Sequence, residues 1–202
     1  GDAGQRVIDI TVGTDLARNL VLQPNGAIVI AGDPFGSDPD DRTGVARFDA
    51  NGTLDSSFGT GGRLILNSRI GRGLALQPDG KLLLVGPSSV LATSQFAMTR
   101  LNTDGTTDTG FGSAGLVLTP VSNATIGAGD IAQAVALHPD GRIYVAGVAG
   151  NLNRNFGLAR YSSNGTLDTT FSTDGVLTVD SDGQAHEPGD APASRLRPLR
   201  PL

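Results

Sequence analysis

The fold is decided by the stretch Leu76-Gln77-Pro78-Asp79-Gly80-Lys81-Leu82-Leu83-Leu84-Val85-Gly86, which joins a turn to an apolar run and recurs along the chain. Its first five residues have counterparts at residues 22–26 and 137–141. The three copies begin 54 and 61 residues apart. Such spacing predicts one supersecondary unit, present three times with loops of different length.

Each unit is predicted to contain four short strands. Pro78-Asp79-Gly80 favours a turn, because Pro presets φ, Asp bonds nearby backbone amides and Gly accepts positive φ. We expect strands at residues 73–77, 81–86, 96–101 and 115–119 in the middle copy. Their counterparts are residues 19–23, 27–32, 45–48 and 63–66 in the first copy and 135–138, 142–147, 157–161 and 176–179 in the third. Four antiparallel strands per repeat are typical of a propeller blade, so the predicted fold is an all-β, β-propeller-type repeat protein.

The repeats predict a β-propeller region over residues 1–180 and a tail after it. Repeats 1, 2 and 3 are placed at residues 17–66, 73–119 and 131–180, and residues 1–12 are expected to form the last strand of a preceding blade. One leading strand and three repeats indicate a partial or open propeller, since closed ones have about four to eight blades. The repeats are then a fragment of a longer ring, an arc that a second copy completes, or a smaller open structure. Residues 181–202 contain Pro and Arg without strand or helix period, which predicts a disordered tail.

Composition excludes several classes of function. The net charge is −5 and no basic run occurs in the repeats, so a nucleic-acid interface is not expected. No stretch approaches the roughly 20 apolar residues that insertion into a membrane needs. The absence of cysteine excludes disulfides, thiolate metal sites and cysteine nucleophiles. A cysteine-free, Asp-rich, Lys-poor β-protein suits an extracellular or cell-surface location.

Several motifs together resemble those of the uncharacterised delta-sixty repeat family. The resemblance rests on residues 76–80, 99–102 and 107–112 and on their counterparts in the flanking copies, and it covers residues 1 to about 180. It implies a β-propeller from long bacterial proteins, often exported or at the cell surface, without catalytic residues to carry over. The chain departs from the family pattern at Gly110 and Ser172.

A charged pair with a spacing of eight residues recurs in every copy. The pairs are Arg47 and Asp55, Arg100 and Asp108, and Arg160 and Asp168. In one interpretation these groups surround a central channel as an anion or sugar site. In the other, each Arg bonds its Asp within one blade and holds the connection to the fourth strand. Identical placement in all copies favours the structural interpretation, and we expect each pair within hydrogen-bonding distance.

An aromatic residue follows each of these pairs, at Phe58, Phe111 and Phe171. Aromatic anchors repeated once per blade are typical of propellers. We therefore interpret these three residues as plugs between adjacent blades rather than as a ligand cage.

Symmetry between the copies is broken in the loops at residues 33–42, 87–95 and 148–155. The first loop carries Asp33, Asp38, Asp40 and Asp41 and is the candidate binding loop, the alternative being a solvated acidic loop. Asp104 and Asp108 could bind Ca²⁺, although Asx turns explain these residues without a metal. No cofactor is otherwise expected, and His138 and His186 are too far apart in sequence to predict a zinc site.

These observations favour a non-catalytic binding or scaffold module of a bacterial surface or secreted protein, with a protein or carbohydrate ligand. No catalytic residues are predicted. The alternative is a propeller-type enzyme, such as a lyase or lactonase, with a metal or carboxylate site at the central channel. Self-association of two arcs could complete a propeller, and a purely structural spacer is a third possibility.

Overall fold

The computed structural model describes residues 4–5, 7–10, 14–35, 42–68, 70–88, 94–122, 129–150, 154–180 and 185–186. These residues form thirteen β-strands and no α-helix. In chain order the strands are β1 (Thr14–Leu22), β2 (Ile28–Phe35), β3 (Thr43–Phe48), β4 (Arg63–Leu66), β5 (Gly73–Leu76), β6 (Leu82–Pro87), β7 (Phe96–Leu101), β8 (Leu116–Thr119), β9 (Ile131–Leu137), β10 (Ile143–Ala149), β11 (Asn155–Tyr161), β12 (Val176–Val179) and β13 (Ala185–His186). The described part of the chain has no helix of the length and apolarity needed to cross a bilayer.

The strands form three separate antiparallel sheets, one for each repeat. Blade 1 has the order β1-β2-β3-β4, blade 2 has β5-β6-β7-β8, and blade 3 has β9-β10-β11-β12 with β13 added at the edge of β12. Blade 1 contacts blade 2, and blade 2 contacts blade 3. The prediction of an all-β, propeller-type fold with four antiparallel strands per repeat, arranged as an open row of blades, is confirmed.

The hairpin between the first two strands of each blade has the predicted geometry. In blade 2 the amide of Gly80 donates to the carbonyl of Gln77 at 2.9 Å, and Gly80 has a φ of 84°. A positive φ is costly for residues that carry a Cβ atom, so glycine fits this position. The side chain of Asp79 accepts the amide of Lys81 at 3.1 Å, which completes the turn.

Blade 2 buries its two faces against different neighbours. We call the face turned toward the preceding blade the leading face and the opposite one the trailing face. In β6, Leu82 and Leu84 pack in a cluster with blade 1, and Leu83 and Val85 pack in a second cluster with blade 3. All four are at most 1% exposed. The unbroken apolar run of β6 therefore reflects a strand buried on both sides.

The described part of residues 1–12 differs from the prediction of a leading strand. The structure describes residues 4–5 and 7–10 of this segment, and they belong to no strand. A strand needs the edge of another strand for pairing. Val7, Ile8 and Ile10 instead lie against the leading face of blade 1, where Ile10 approaches Gly44.

The predicted tail at residues 181–202 also contains a short strand. In β13, Ala185 pairs with Val179 and His186 pairs with Thr178 of β12. The fourth strand of blade 3 has a free outer edge to which two further residues can add. The remaining residues of the tail lie outside the described residues.

Candidate functional site

The structure brings the two members of each Arg–Asp pair together. Nε of the arginine donates to Oδ2 of the aspartate at 2.8 Å in all three blades, for the pairs Arg47–Asp55, Arg100–Asp108 and Arg160–Asp168. The amide of each aspartate also donates to the carbonyl of its arginine, at 2.9 Å. The spacing of eight residues thus closes a loop with one backbone bond and one charge-assisted side-chain bond.

A hydroxyl group supports the pair in blades 1 and 3. Asp55 Oδ1 accepts the amide and the hydroxyl of Ser57 at 3.0 and 2.6 Å, and Arg47 Nη2 donates to the same hydroxyl at 2.9 Å. Thr170 makes the same three contacts with Asp168 and Arg160. The pair in these blades is therefore held by a local network as well as by its own charges.

Blade 2 replaces the hydroxyl by a second cation. Gly110 stands at the position of Ser57 and Thr170, and its amide donates to Asp108 Oδ1 at 3.1 Å. Lys81 Nζ donates to Asp108 Oδ2 at 2.7 Å, beside the bond from Arg100. The departure from the repeat pattern at Gly110 is thus accompanied by a lysine that reaches the same carboxylate.

These contacts keep all three carboxylates ionised. Hydrogen bonds from Ser57 hold the pKa of Asp55 below its usual range, and the hydroxyl of Thr170 does the same for Asp168. The hydrogen bond from Lys81, with smaller contributions from Gly110 and Arg100, lowers the pKa of Asp108 to about 2. The lowered pKa values favour the ionised form of each carboxylate, which accepts hydrogen bonds from the donors around it.

Two of the three arginines also bind the following blade. Arg47 Nη1 donates to the carbonyl of Thr103 in blade 2, and Arg100 Nη1 donates to the carbonyl of Ser163 in blade 3 at 2.8 Å. Both carbonyls belong to the turn between the third and fourth strands of the next blade. The sequence predicts the bond within a blade but gives no sign of this bond between blades.

Two of the three recurring phenylalanines, Phe58 and Phe111, lie at the same junctions. Phe58 and Phe111 are fully buried, and each ring lies within 4.8 Å of the guanidinium of its own arginine. The backbone amide that follows each ring donates to the next turn, from Gly59 to Asp104 at 2.7 Å and from Gly112 to Asn164 at 3.2 Å. We call the Arg, Asp and Phe of one blade, together with the turn that they contact in the next, the blade latch.

Of the candidate binding loop, the structure describes one aspartate. The prediction places Asp33 in a loop, whereas the structure places it in β2, where it is 5% exposed. Arg18 of β1 donates to Asp33 Oδ2 at 2.5 Å, and this pairing carries the strand further than the sequence predicts. Asp38, Asp40 and Asp41 lie outside the described residues.

The candidate Ca²⁺ ligands are engaged by donors of the protein. Asp104 Oδ1 accepts the amide and hydroxyl of Thr106, at 2.9 and 2.7 Å, while Asp108 is held by Lys81 and Arg100. His138 Nδ1 lies 2.8 Å from Asp140 Oδ1. Across the described ranges, no group of three or more His, Asp or Glu side chains could hold a metal ion.

Two aspartates with a structural role are not predicted from the sequence. Asp130 is fully buried and accepts three amides, from Val121 and Ser122 at Oδ2 and from Gly150 at Oδ1, at 2.8 to 3.0 Å. Asp15 accepts the amide of Ile10 at 2.6 Å in the corresponding place in blade 1. Both anchor the segment that enters a blade. The available signal is the pattern Asp-X-Ala, which occurs at residues 15–17 and 130–132.

A cavity of about 260 Å³ lies beside the leading face of blade 1. Val7, Ile8 and Ile10 form one wall, and Leu16 and Phe48 are among the residues of the other. The polar side chains at its border are Asp15 and Asp33. Asp15 binds Ile10 and Asp33 binds Arg18, so the cavity is chiefly an apolar groove at the end of the row of blades.

Comparison with protein families identifies the repeat. A family profile described as "Domain of unknown function (DUF5122) beta-propeller" matches residues 23–58, 77–111 and 138–171, just over half of the chain. Each match begins in the first hairpin of a blade and ends on the phenylalanine of its latch. Among curated proteins, no sequence matches the chain. The chain therefore belongs to the DUF5122 beta-propeller family.

Proposed function

We propose that the chain is a non-catalytic binding or scaffold module of a bacterial surface or secreted protein. The observation that carries this proposal is that the recurring charged and aromatic residues make contacts within and between blades. In blades 1 and 2 the Arg, Asp and Phe of the latch bond one another and reach the turn of the next blade. Side chains that are bonded to neighbouring blades are not available for a reaction.

The ionisation of the aspartates supports the same proposal. General acid–base catalysis is most efficient when the pKa of the acid or base lies near the working pH. The pKa of Asp55, Asp108 and Asp168 is lowered by donors of the protein itself. In this proposal their charge stabilises the blade and no cofactor is required.

The surface location and the finer family assignment are part of the proposal. The motifs at residues 76–80, 99–102 and 107–112 resemble delta-sixty repeats, and the resemblance implies a long bacterial protein of a kind that is often exported or at the cell surface. The absence of cysteine and the excess of acidic residues suit the outside of a cell. Labelling of intact cells with an antibody against the chain is expected to succeed. Labelling only after the cells are broken would contradict the surface location.

The ligand in this proposal is a protein or a carbohydrate, bound without chemical change. Binding of the chain to an array of bacterial and plant polysaccharides tests whether the ligand is a carbohydrate. Any polysaccharide that binds is then incubated with the chain, and new reducing ends and unsaturated sugar products are measured. Binding without product supports a binding module. Release of product would favour the lyase or hydrolase alternative.

Thermal unfolding in Ca²⁺ and in EDTA tests whether a metal takes part. A ligand that binds only the native state raises the unfolding midpoint. The proposal predicts equal midpoints under the two conditions, because Asp104 and Asp108 already have protein partners. A midpoint that rises with the Ca²⁺ concentration would contradict the metal-free scaffold.

A further inference from the structure

The two blade junctions of the chain are built alike. At each one, the arginine of a blade donates to the carbonyl of the next turn and the phenylalanine ring lies against the glycine of that turn. A Cβ atom placed on Gly105 would lie 3.0 Å from Phe58, and one placed on Gly165 would lie 2.8 Å from Phe111. The junction is therefore a repeated, directional contact between a trailing face and a leading face.

The trailing face of blade 3 carries the Arg, Asp and Phe of a junction, but among the described residues no further blade covers it. Phe156 is 73% exposed, whereas its counterpart Phe96 in blade 2 is 1% exposed. Phe171 is half-buried, in contrast to the fully buried Phe58 and Phe111. Arg160 stands over Phe171 at 4.9 Å, as the corresponding pairs do in the other blades.

The leading face of blade 1 carries the other side of a junction, the turn that receives the arginine and the phenylalanine. Gly52 occupies the place of Gly105 and Gly165 in the turn, with a φ of 78°. Within the described part of the chain, no atom lies within 4 Å of a Cβ placed on it. Leu20 and Leu22, on the leading face, are 61% and 66% exposed.

We propose that blade 3 of one copy docks on blade 1 of a second copy, in the way in which blade 2 docks on blade 3. Arg160 then donates to the carbonyl of Ala50, the counterpart of Ser163, and Phe171 covers Gly52. A head-to-tail contact between unlike faces closes into a ring when it is made twice. Two copies give six blades, a number within the range of about four to eight found in closed propellers.

The segment at residues 7–10 is compatible with this docking. Ile10 lies on Gly44 in the same way as Val121, which enters blade 3, lies on Gly157. Val121 is 2% exposed and shares the core between blades 2 and 3. A connector in this position is thus part of a blade junction and does not block it. The inference does not depend on the ligand proposed above.

Sedimentation analysis of the 202-residue chain tests the proposal. The expected mass is twice the 20.6 kDa of one chain. Phe156→Asp and Leu22→Asp each place a charge on one of the two faces, and both are expected to give single chains. Both residues are exposed, so the variants should keep the β-sheet circular dichroism of the parent. Thr109→Asp, at an exposed position in a turn of blade 2, is the control and should leave the pair intact.

Mixing the two variants tests the direction of the contact. A Phe156→Asp copy keeps the unchanged leading face of blade 1, and a Leu22→Asp copy keeps the unchanged trailing face of blade 3. The mixture should therefore form a species of two chains, joined by one intact junction. Failure of the mixture to pair at any concentration would overturn the head-to-tail arrangement. A wild-type chain that remains single, or that forms assemblies larger than two copies, would overturn the closed pair.

Discussion

Arg100 of blade 2 donates to the carbonyl oxygen of Ser163 in blade 3 at 2.8 Å, across 63 residues of sequence. The same guanidinium binds Asp108 of its own blade at 2.8 Å and lies 4.4 Å from the centre of the Phe111 ring. One side chain thus links the loop of its blade, the plug between blades and the turn of the next blade. The junction between blades 2 and 3 combines all three contacts in Arg100.

Replacement of Arg100 by alanine should destabilise the chain by roughly 3 kcal/mol, because it leaves the little-exposed carboxylate of Asp108 with fewer partners and removes the bond to blade 3. Urea denaturation measures the change. Arg142→Ala is the control, since Arg142 makes its ion pair with Asp140 on the surface, where solvent screening leaves such pairs little effect on stability. Equal losses in the two variants would contradict the role of Arg100.

Two glycines in equivalent turns should respond differently to alanine. Gly165→Ala and Gly52→Ala both place a Cβ at positive φ, at 89° and 78°. The Cβ at residue 165 also meets Phe111 at 2.8 Å, whereas that at residue 52 meets no described atom. Measured by urea denaturation in the single-chain Phe156→Asp background, Gly165→Ala should cost about 1 to 3 kcal/mol more than Gly52→Ala. Equal costs would show that the ring does not pack on the turn.

Asp130→Asn should destabilise the chain by about 1 to 3 kcal/mol. The buried carboxylate accepts three amides with two oxygens, and an asparagine offers one oxygen and an NH₂ group that faces an N–H donor. Asp174→Asn serves as the control, because Asp174 accepts one amide, from Val176, which an asparagine can also accept. Thermal unfolding compares the two variants, and a loss in Asp174→Asn as large as in Asp130→Asn would contradict the assignment.

The low pKa of Asp108 predicts acid sensitivity. The folded chain holds this pKa at about 2, while an unfolded aspartate has about 3.9. As the pH falls, the unfolded chain binds the proton first, so the stabilisation is present above about pH 4 and is lost as the pH falls toward about 2. Asp108→Asn should be less stable at neutral pH and should lose less stability on acidification.

Urea denaturation of both proteins between about pH 7 and about pH 3 measures this difference. Asp79→Asn is the control, since the asparagine can still accept the amide of Lys81 and complete the turn. That variant should follow the wild-type curve. An Asp108→Asn curve parallel to the wild type at every pH would contradict the contribution of the carboxylate.

The strands could be predicted because their signals are local. β7 and β12 lie where the apolar pattern places them, and the turn at Gly80 follows from its residue types. The lengths of β1, β2 and β9 could not be predicted, because these strands are extended by contacts with distant residues. Arg18 with Asp33 is one such contact in blade 1.

The sites could be predicted only as far as each blade alone determines them. The spacing of Arg100 and Asp108 indicates their bond, but the bond to Ser163 depends on how two sheets stack. The role of Asp130 is harder to predict from the sequence, since the segment that enters blade 2 is held by a different side chain. Where the chain passes from blade 1 to blade 2, the hydroxyl of Thr43 in blade 1 accepts the amide of Ile70 at 2.9 Å, so no aspartate recurs.

The most direct test of the account is a double-mutant cycle between Phe111 and Gly165, measured by urea denaturation of the Phe156→Asp chain. If the ring covers the turn of the next blade, Phe111→Ala removes the atoms that a Cβ at residue 165 would meet. The two changes together should then cost less than the sum of their separate costs, by about 1 kcal/mol or more. Additivity within about 0.3 kcal/mol would contradict a latch that joins the blades.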